Sequence, residues 1–160
     1  MKRILIAVAV VLSFAFAVWW LSPTQVIKRR TNKLMSTLTL EEGSGSAARH
    51  LNTLIFGSLI ADGVTIDAPG IGEANGEFTS GDLNSGFGWL TIQAKYTKFE
   101  VIEFRKVGVG GDRAEVEAKV EATVVLPDYR PADGAYLMGL SWAKEEDGWR
   151  LSRIKLREVR

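Results

Sequence analysis

From Arg113 to Leu126 the chain reads RAEVEAKVEATVVL, and every second position is apolar: Ala114, Val116, Ala118, Val120, Ala122, Val124 and Leu126. The positions between them are charged or polar as far as Thr123. Alternation with a period of two puts one set on a dry face and the other in water, which is the signature of a strand. Fourteen extended residues would reach about 46 Å at ~3.3 Å each, against ~5–6 residues for an average strand. A strand that long is the spine of a curved antiparallel sheet. Its alanine-rich dry face leaves room for something bulky to pack on it.

The rest of the chain arranges itself around this spine. Ser22-Pro23-Thr24-Gln25 signals a helix start, with Ser22 as N-cap and proline at the first helical position. The helix that follows carries Ile27, Leu34, Met35 and Leu38 on one side and its basic residues on the other. Glu41 to Ser46 breaks it. A second helix is predicted from about Ala47 to Ala61, with Ala47, Leu51, Leu54, Ile55, Ser58 and Leu59 inward, ending at Asp62-Gly63. Val64-Thr65-Ile66 reads as a short strand, and Asn75-Gly76 marks a tight turn in a small hairpin through Phe78. Ser80 caps a short third helix to about Tyr96, with Leu83, Phe87, Leu90 and Ala94 at helical spacing.

Phe99 to Val109 is a strand whose apolar set changes phase between Val101 and Ile102, as a bulge makes it do. Residues 127–134 form a loop, Tyr136, Met138, Leu140 and Trp142 alternate in the next strand, and Glu145 to Gly148 turns. The last strand starts at Trp149 and changes phase between Leu151 and Ile154. Two phase changes beside a very long strand imply strong bending.

The N-terminus has another character. Behind Met1-Lys2-Arg3 comes an uncharged run, Ile4 to Leu21, with Ser13 as its only polar residue. Eighteen helical residues make ~27 Å, enough to cross a hydrocarbon core, and Trp19 and Trp20 suit the headgroup level. The run reads as a retained transmembrane anchor. A secretory signal cleaved near Ala17, at Ala15-Phe16-Ala17, is the alternative. Residues 1–21 are thus anchor or signal peptide, and residues 22–160 the folded domain. Lys2 and Arg3 abut the run, while Lys28, Arg29, Arg30 and Lys33 lie a few residues beyond it. The closer cluster favours a cytoplasmic N-terminus and an extracytoplasmic domain.

Composition narrows the chemistry. A net charge of +1 gives no case for a nucleic-acid partner. Without cysteine and with a single histidine, thiol catalysis, disulfides and multi-histidine metal sites are excluded. No metal or cofactor is expected.

The order of helix, helix, short strand, small hairpin, short helix and long antiparallel strands resembles the nuclear transport factor 2-like superfamily, which includes the SnoaL-like and ketosteroid-isomerase-like families. DGVTIDAPG (62–70), AEVEAKVEATVVL and the closing hairpin LSWAKEEDGWRLSRIKL (140–156) carry the likeness. It implies an α+β cone: an N-terminal helix pair and a third short helix packed on a strongly curved, mainly antiparallel sheet, here preceded by one transmembrane helix.

Catalytic members of that superfamily use an Asp or His base facing an apolar cavity. The resemblance therefore makes Asp62 and His50 the catalytic candidates, and a turn acid and a surface histidine are the plainer readings. Trp89, Tyr96, Tyr136 and Trp142 are candidate ligand-lining aromatics, or simply core filling. Glu115, Glu117 and Glu121 lie on the wet face of the spine, a face through which members dimerise. Arg150, Arg153, Lys155, Arg157 and Arg160 make the C-terminus basic, an ordinary exposed strand face or an anionic-partner site. Fold alone does not select a function. Three readings stand: a membrane-anchored domain binding a partner protein or small apolar ligand without catalysis, a small lyase or isomerase using Asp62 or His50, and a structural subunit of an envelope complex assembling through the sheet's polar face.

Overall fold

The computed structural model describes residues 11–13, 16–69 and 74–158. Three helices, α1 (Pro23–Leu38), α2 (Ser46–Leu59) and α3 (Ser80–Gln93), pack on one six-stranded sheet. Its strands are β1 (Ile60–Asp67), β2 (Gly76–Thr79), β3 (Tyr96–Gly110), β4 (Arg113–Val125), β5 (Ala132–Glu145) and β6 (Gly148–Glu158). Their order is β2-β1-β6-β5-β4-β3, antiparallel throughout except where β1 runs parallel to β6. This is the expected curved α+β cone.

The alternation of β4 translates directly into burial. Ala114, Val116, Ala118, Val120, Ala122 and Val124 are all buried. Each alanine faces a larger neighbour across the ladder: Trp142 beside Ala114, Phe104 and Met138 flanking Ala118, Phe99 beside Ala122. Small against large lets the side chains of neighbouring strands interdigitate on the concave face. Both predicted phase changes are β-bulges. Ile102 is the extra residue in β3 and Ser152 the extra one in β6, and β3 has a further bulge at Arg105 that the sequence pattern concealed. Bulges sharpen local twist, so β3 and β6 curl around β4 and β5.

Helix α1 buries Ile27, Leu34 and Met35 as predicted, with Thr31 between them. Ser22 occupies the N-cap position, but its side chain makes no capping bond. The inward face of α2 differs from expectation. Phe56 and Leu59 are buried, while Ala47, Leu51, Leu54 and Ser58 face solvent. The cause is α3, which packs against the Arg49–Thr53–Phe56 side and turns the leucines outward: Phe56 meets Phe87 with ring centroids 4.7 Å apart. Helix α3 is capped by Thr79 rather than Ser80, with a reciprocal Thr79–Asp82 capping box, and ends at Gln93. Helix α2 stops at Leu59, so Asp62 belongs to β1 rather than to a helix end.

The predicted anchor falls only partly on described residues, since 4–10 and 14–15 lie outside them. Residues 11–13 and 16–20 are helical. Among the described residues no helix is long and apolar enough to cross a membrane.

Candidate functional site

The space between α1 and the sheet, where a cone would hold a ligand, is occupied by the chain's own side chains. Ile27, Leu34, Leu59, Val120, Leu140, Trp142 and Leu151 are essentially inaccessible there. Thr31 Oγ1 and the Trp142 indole nitrogen are buried in this core without a hydrogen-bond partner among the described residues.

The sequence-predicted residues do not converge on one place. Trp142 is core. Trp89 is exposed on α3. Tyr96 pairs with Val125 and Tyr136 with Val120, and strand alternation sets these two pairs on opposite faces of the sheet. Tyr136 lines a shallow depression with Ala68, Pro69, Pro131 and Leu156, six residues along β5 and thus ~20 Å from Trp142. Asp62 is exposed on β1. His50 is exposed in the second turn of α2, and the helix alone separates it from Asp62 by ~13 Å. Asp62 lies instead in the field of Arg150, whose guanidinium binds Glu145 at 3.1 Å, Asp147, and the Ile60 carbonyl at 3.1 Å. The bond from Arg150 holds the Asp147 carboxyl below its usual range, and the same pairing raises the arginine. Arg150 thereby ties the β5–β6 turn to the start of β1. Among the described residues, no three histidine or carboxylate groups are placed to hold a metal ion.

Two other surfaces stand out. The first is the solvent side of the helical layer. The contacts of Arg49 with Thr91 and of Phe56 with Phe87 set α2 and α3 antiparallel, so Leu51 and Leu54 share a level with Trp89 and Ile92. These four are 55%, 60%, 54% and 77% exposed. Across both helices the ionisable residues are only Arg49, His50 and Asp82. Beside this apolar face runs a groove of about 560 Å³, lined by Ser46, Arg49, His50, Thr53, Gly88 and Ile92 among others. Arg49 forms its floor, donating to the carbonyls of Ser44 at 3.1 Å, Ala94 at 3.0 Å and Thr91. Sequence reading missed this surface because a leucine at helical spacing is ordinarily core, and only the position of α3 shows otherwise.

The second surface is the outer face of the sheet. Cross-strand pairing lines up Lys106, Glu117, Gly139, Lys155 and Asp67 in one row, and Gly108, Glu115, Ser141, Arg153 and Thr65 in the next. An acidic column on β4 therefore runs beside a basic column on β6, two strand spacings or ~10 Å away. Between them lies a trough of about 360 Å³ over Leu137 and Gly139. Among the described residues, Glu115, Glu117, Arg153, Lys155 and Arg157 form no ion pair within 4 Å, although the Ser141 hydroxyl donates to Glu115 at 2.9 Å.

Comparison with known proteins places the architecture. No protein-family model matches the chain, and no curated protein does. Solved structures do match. A nuclear transport factor 2-like protein from Cytophaga hutchinsonii is similar over 87% of this chain and all of its own, at 10% identity and a TM-score of 0.63. A superfamily member from Salmonella enterica matches over 86% of this chain and 91% of its own, at 14% identity and 0.61. A Streptomyces avermitilis protein named for a dehydratase of the same family matches over 86% and 96%, at 14% identity and 0.63. The fold is nuclear transport factor 2-like. At these identities the likeness concerns the fold alone.

Proposed function

We propose that this chain is a membrane-anchored, extracytoplasmic domain that binds a partner protein without catalysis, through the solvent side of α2 and α3. The observation that carries this reading is the exposure of Leu51, Leu54, Trp89 and Ile92 together on a helical layer with almost no charge. Large apolar side chains left exposed on a layer with so little charge are the mark of a protein interface, and an exposed tryptophan is a typical anchor residue. The groove beside it offers Arg49 and His50 to a polar end of the same partner. The lyase or isomerase reading needs an acid or imidazole facing an enclosed apolar cavity; Asp62 and His50 both face solvent. The anchor follows from the basic head and the uncharged run 4–21.

Substitution tests this without disturbing the core. Leu54→Glu and Trp89→Glu should leave the melting temperature within a few degrees of wild type and abolish co-purification of the partner from native membranes. Retention of the same partner by both variants would refute the surface.

A second reading concerns self-association. The unpaired acidic and basic columns of the outer sheet face are self-complementary under a two-fold axis, which sets the acid column of one copy on the basic column of the next. Sedimentation of the full chain in detergent should show a dimer that Lys155→Glu and Glu117→Lys each weaken and that the double reversal restores. A wild-type monomer at all concentrations contradicts it.

A further inference from the structure

The junction between the N-terminal helix and the domain is built like a membrane-surface contact. We propose that Trp19, Trp20, Lys28 and Arg29 form a collar that binds anionic phospholipid headgroups and seats the domain directly on the bilayer. This rests on reading residues 4–21 as a retained anchor.

Three observations lead here. First, the junction is short: only Leu21 and Ser22 separate the two helical segments, and backbone bonds cross it, from Ser22 N to the Trp19 carbonyl at 3.1 Å and from Val26 N to the Ser22 carbonyl at 3.0 Å. The domain therefore starts within a turn of the apolar helix, near enough for its first basic residues to reach the headgroups. Second, Phe16, Trp19 and Trp20 cluster at the end of that helix, with ring centroids 5.8–6.3 Å apart, and all three are exposed. Tryptophans at the end of an apolar helix sit at headgroup depth.

Third, Arg29 reaches back to the same level. Its guanidinium lies 4.4 Å from the Trp20 ring centroid, and Nη1 donates to the Trp20 carbonyl at 2.7 Å. That contact uses one of five N–H donors and leaves the fork pre-oriented for phosphate. Lys28 stands over the Phe104 ring at 5.4 Å, which extends the collar to β3. Among the described residues, none of Lys28, Arg29, Arg30 and Lys33 has a carboxylate within 4 Å. Residues 28–30 lie ~9–12 Å along the α1 axis from Ser22, about one Debye length at physiological salt. The near neutrality of the whole chain makes this concentration of positive charge local rather than general.

The chain lacks cysteine, so Glu146→Cys on the exposed β5–β6 turn gives a unique labelling site close to α1. Full-length labelled protein is reconstituted in vesicles of phosphatidylcholine alone or with phosphatidylglycerol, and energy transfer to a headgroup-labelled lipid is measured. Transfer should be strong in anionic vesicles and weak in neutral ones or at high salt. Arg29→Ala should lower the ratio of docked to undocked domain roughly five-fold, the effect of one basic residue near an anionic surface. Lys98→Ala, on β3 beside the C-terminal end of α1, should change nothing. Equal transfer in neutral and anionic vesicles, with the chain resistant to carbonate extraction, overturns the collar and leaves the anchor standing. Extraction of the wild-type chain by carbonate overturns both.

Discussion

Trp142 on β5 stands directly across the ladder from Ala114 on β4, and each is 1% exposed. The indole fills the room that the alanine leaves, and with Leu140 and Ile27 it closes the interior of the cone. Trp142→Ala should cost about 3–5 kcal/mol in unfolding free energy, measured by denaturant titration. It should also create a cavity that a small apolar molecule such as indole stabilises. Ala114→Leu should cost about 1–3 kcal/mol, because the same space cannot hold both side chains.

Two glycines on the helical layer should respond differently to alanine. A Cβ at Gly57 would lie 2.8 Å from Asn84 Nδ2, whereas one at Gly86 meets nothing within 4 Å. Gly86→Ala should therefore stabilise by up to about 1 kcal/mol, the helix-propensity difference. Gly57→Ala should forfeit that gain to the clash with Asn84. A double-mutant cycle with Asn84→Ala should recover it, as thermal melts would show.

Arg49 is the staple that holds the C-terminal end of α3 to α2, through the Thr91 and Ala94 carbonyls. Arg49→Ala should cost about 1.5–3 kcal/mol, the range for hydrogen bonds from a charged donor. Hydrogen exchange should locate the loss in the last turn of α3 and leave β4 protected.

The start of α3 should be acid-sensitive. Bonds from the Thr79 hydroxyl and backbone N–H hold Asp82 below its ordinary 3.8. A carboxylate with a depressed folded pKa contributes stability that is complete above its unfolded pKa. That contribution disappears as pH falls through the folded value. Between about pH 5 and pH 2 the wild type should lose stability more steeply than Asp82→Asn, read from melting temperatures across that range. At neutral pH Thr79→Ala should cost about 1 kcal/mol through loss of the cap.

Much of this fold was legible in the chain because its signals are local. The alternation of β4 and the phase changes at Val101/Ile102 and Leu151/Ile154 each have a direct counterpart in burial or register. The candidate site was not legible, for a physical reason. Leu51 and Leu54 sit at helical spacing, and nothing in α2 itself tells which side α3 will cover. Tyr96 and Tyr136 read as partners in a pocket until register places them on opposite faces of the sheet. Asp62 reads as a helix-end residue, because Asp-Gly is a strong stop signal, yet the chain is already extended at Ile60 to pair with Leu151.

The central claim, that the solvent side of α2 and α3 takes up a partner protein, is tested most directly by placing a photo-cross-linking residue at Leu54 and at Trp89, with Asp112 on the β3–β4 turn as reference. In native membranes the same heavier adduct is expected from both helical positions, none from Asp112, and its loss when Leu51→Glu is added. No adduct at either helical position, or equal labelling at all three, would contradict it.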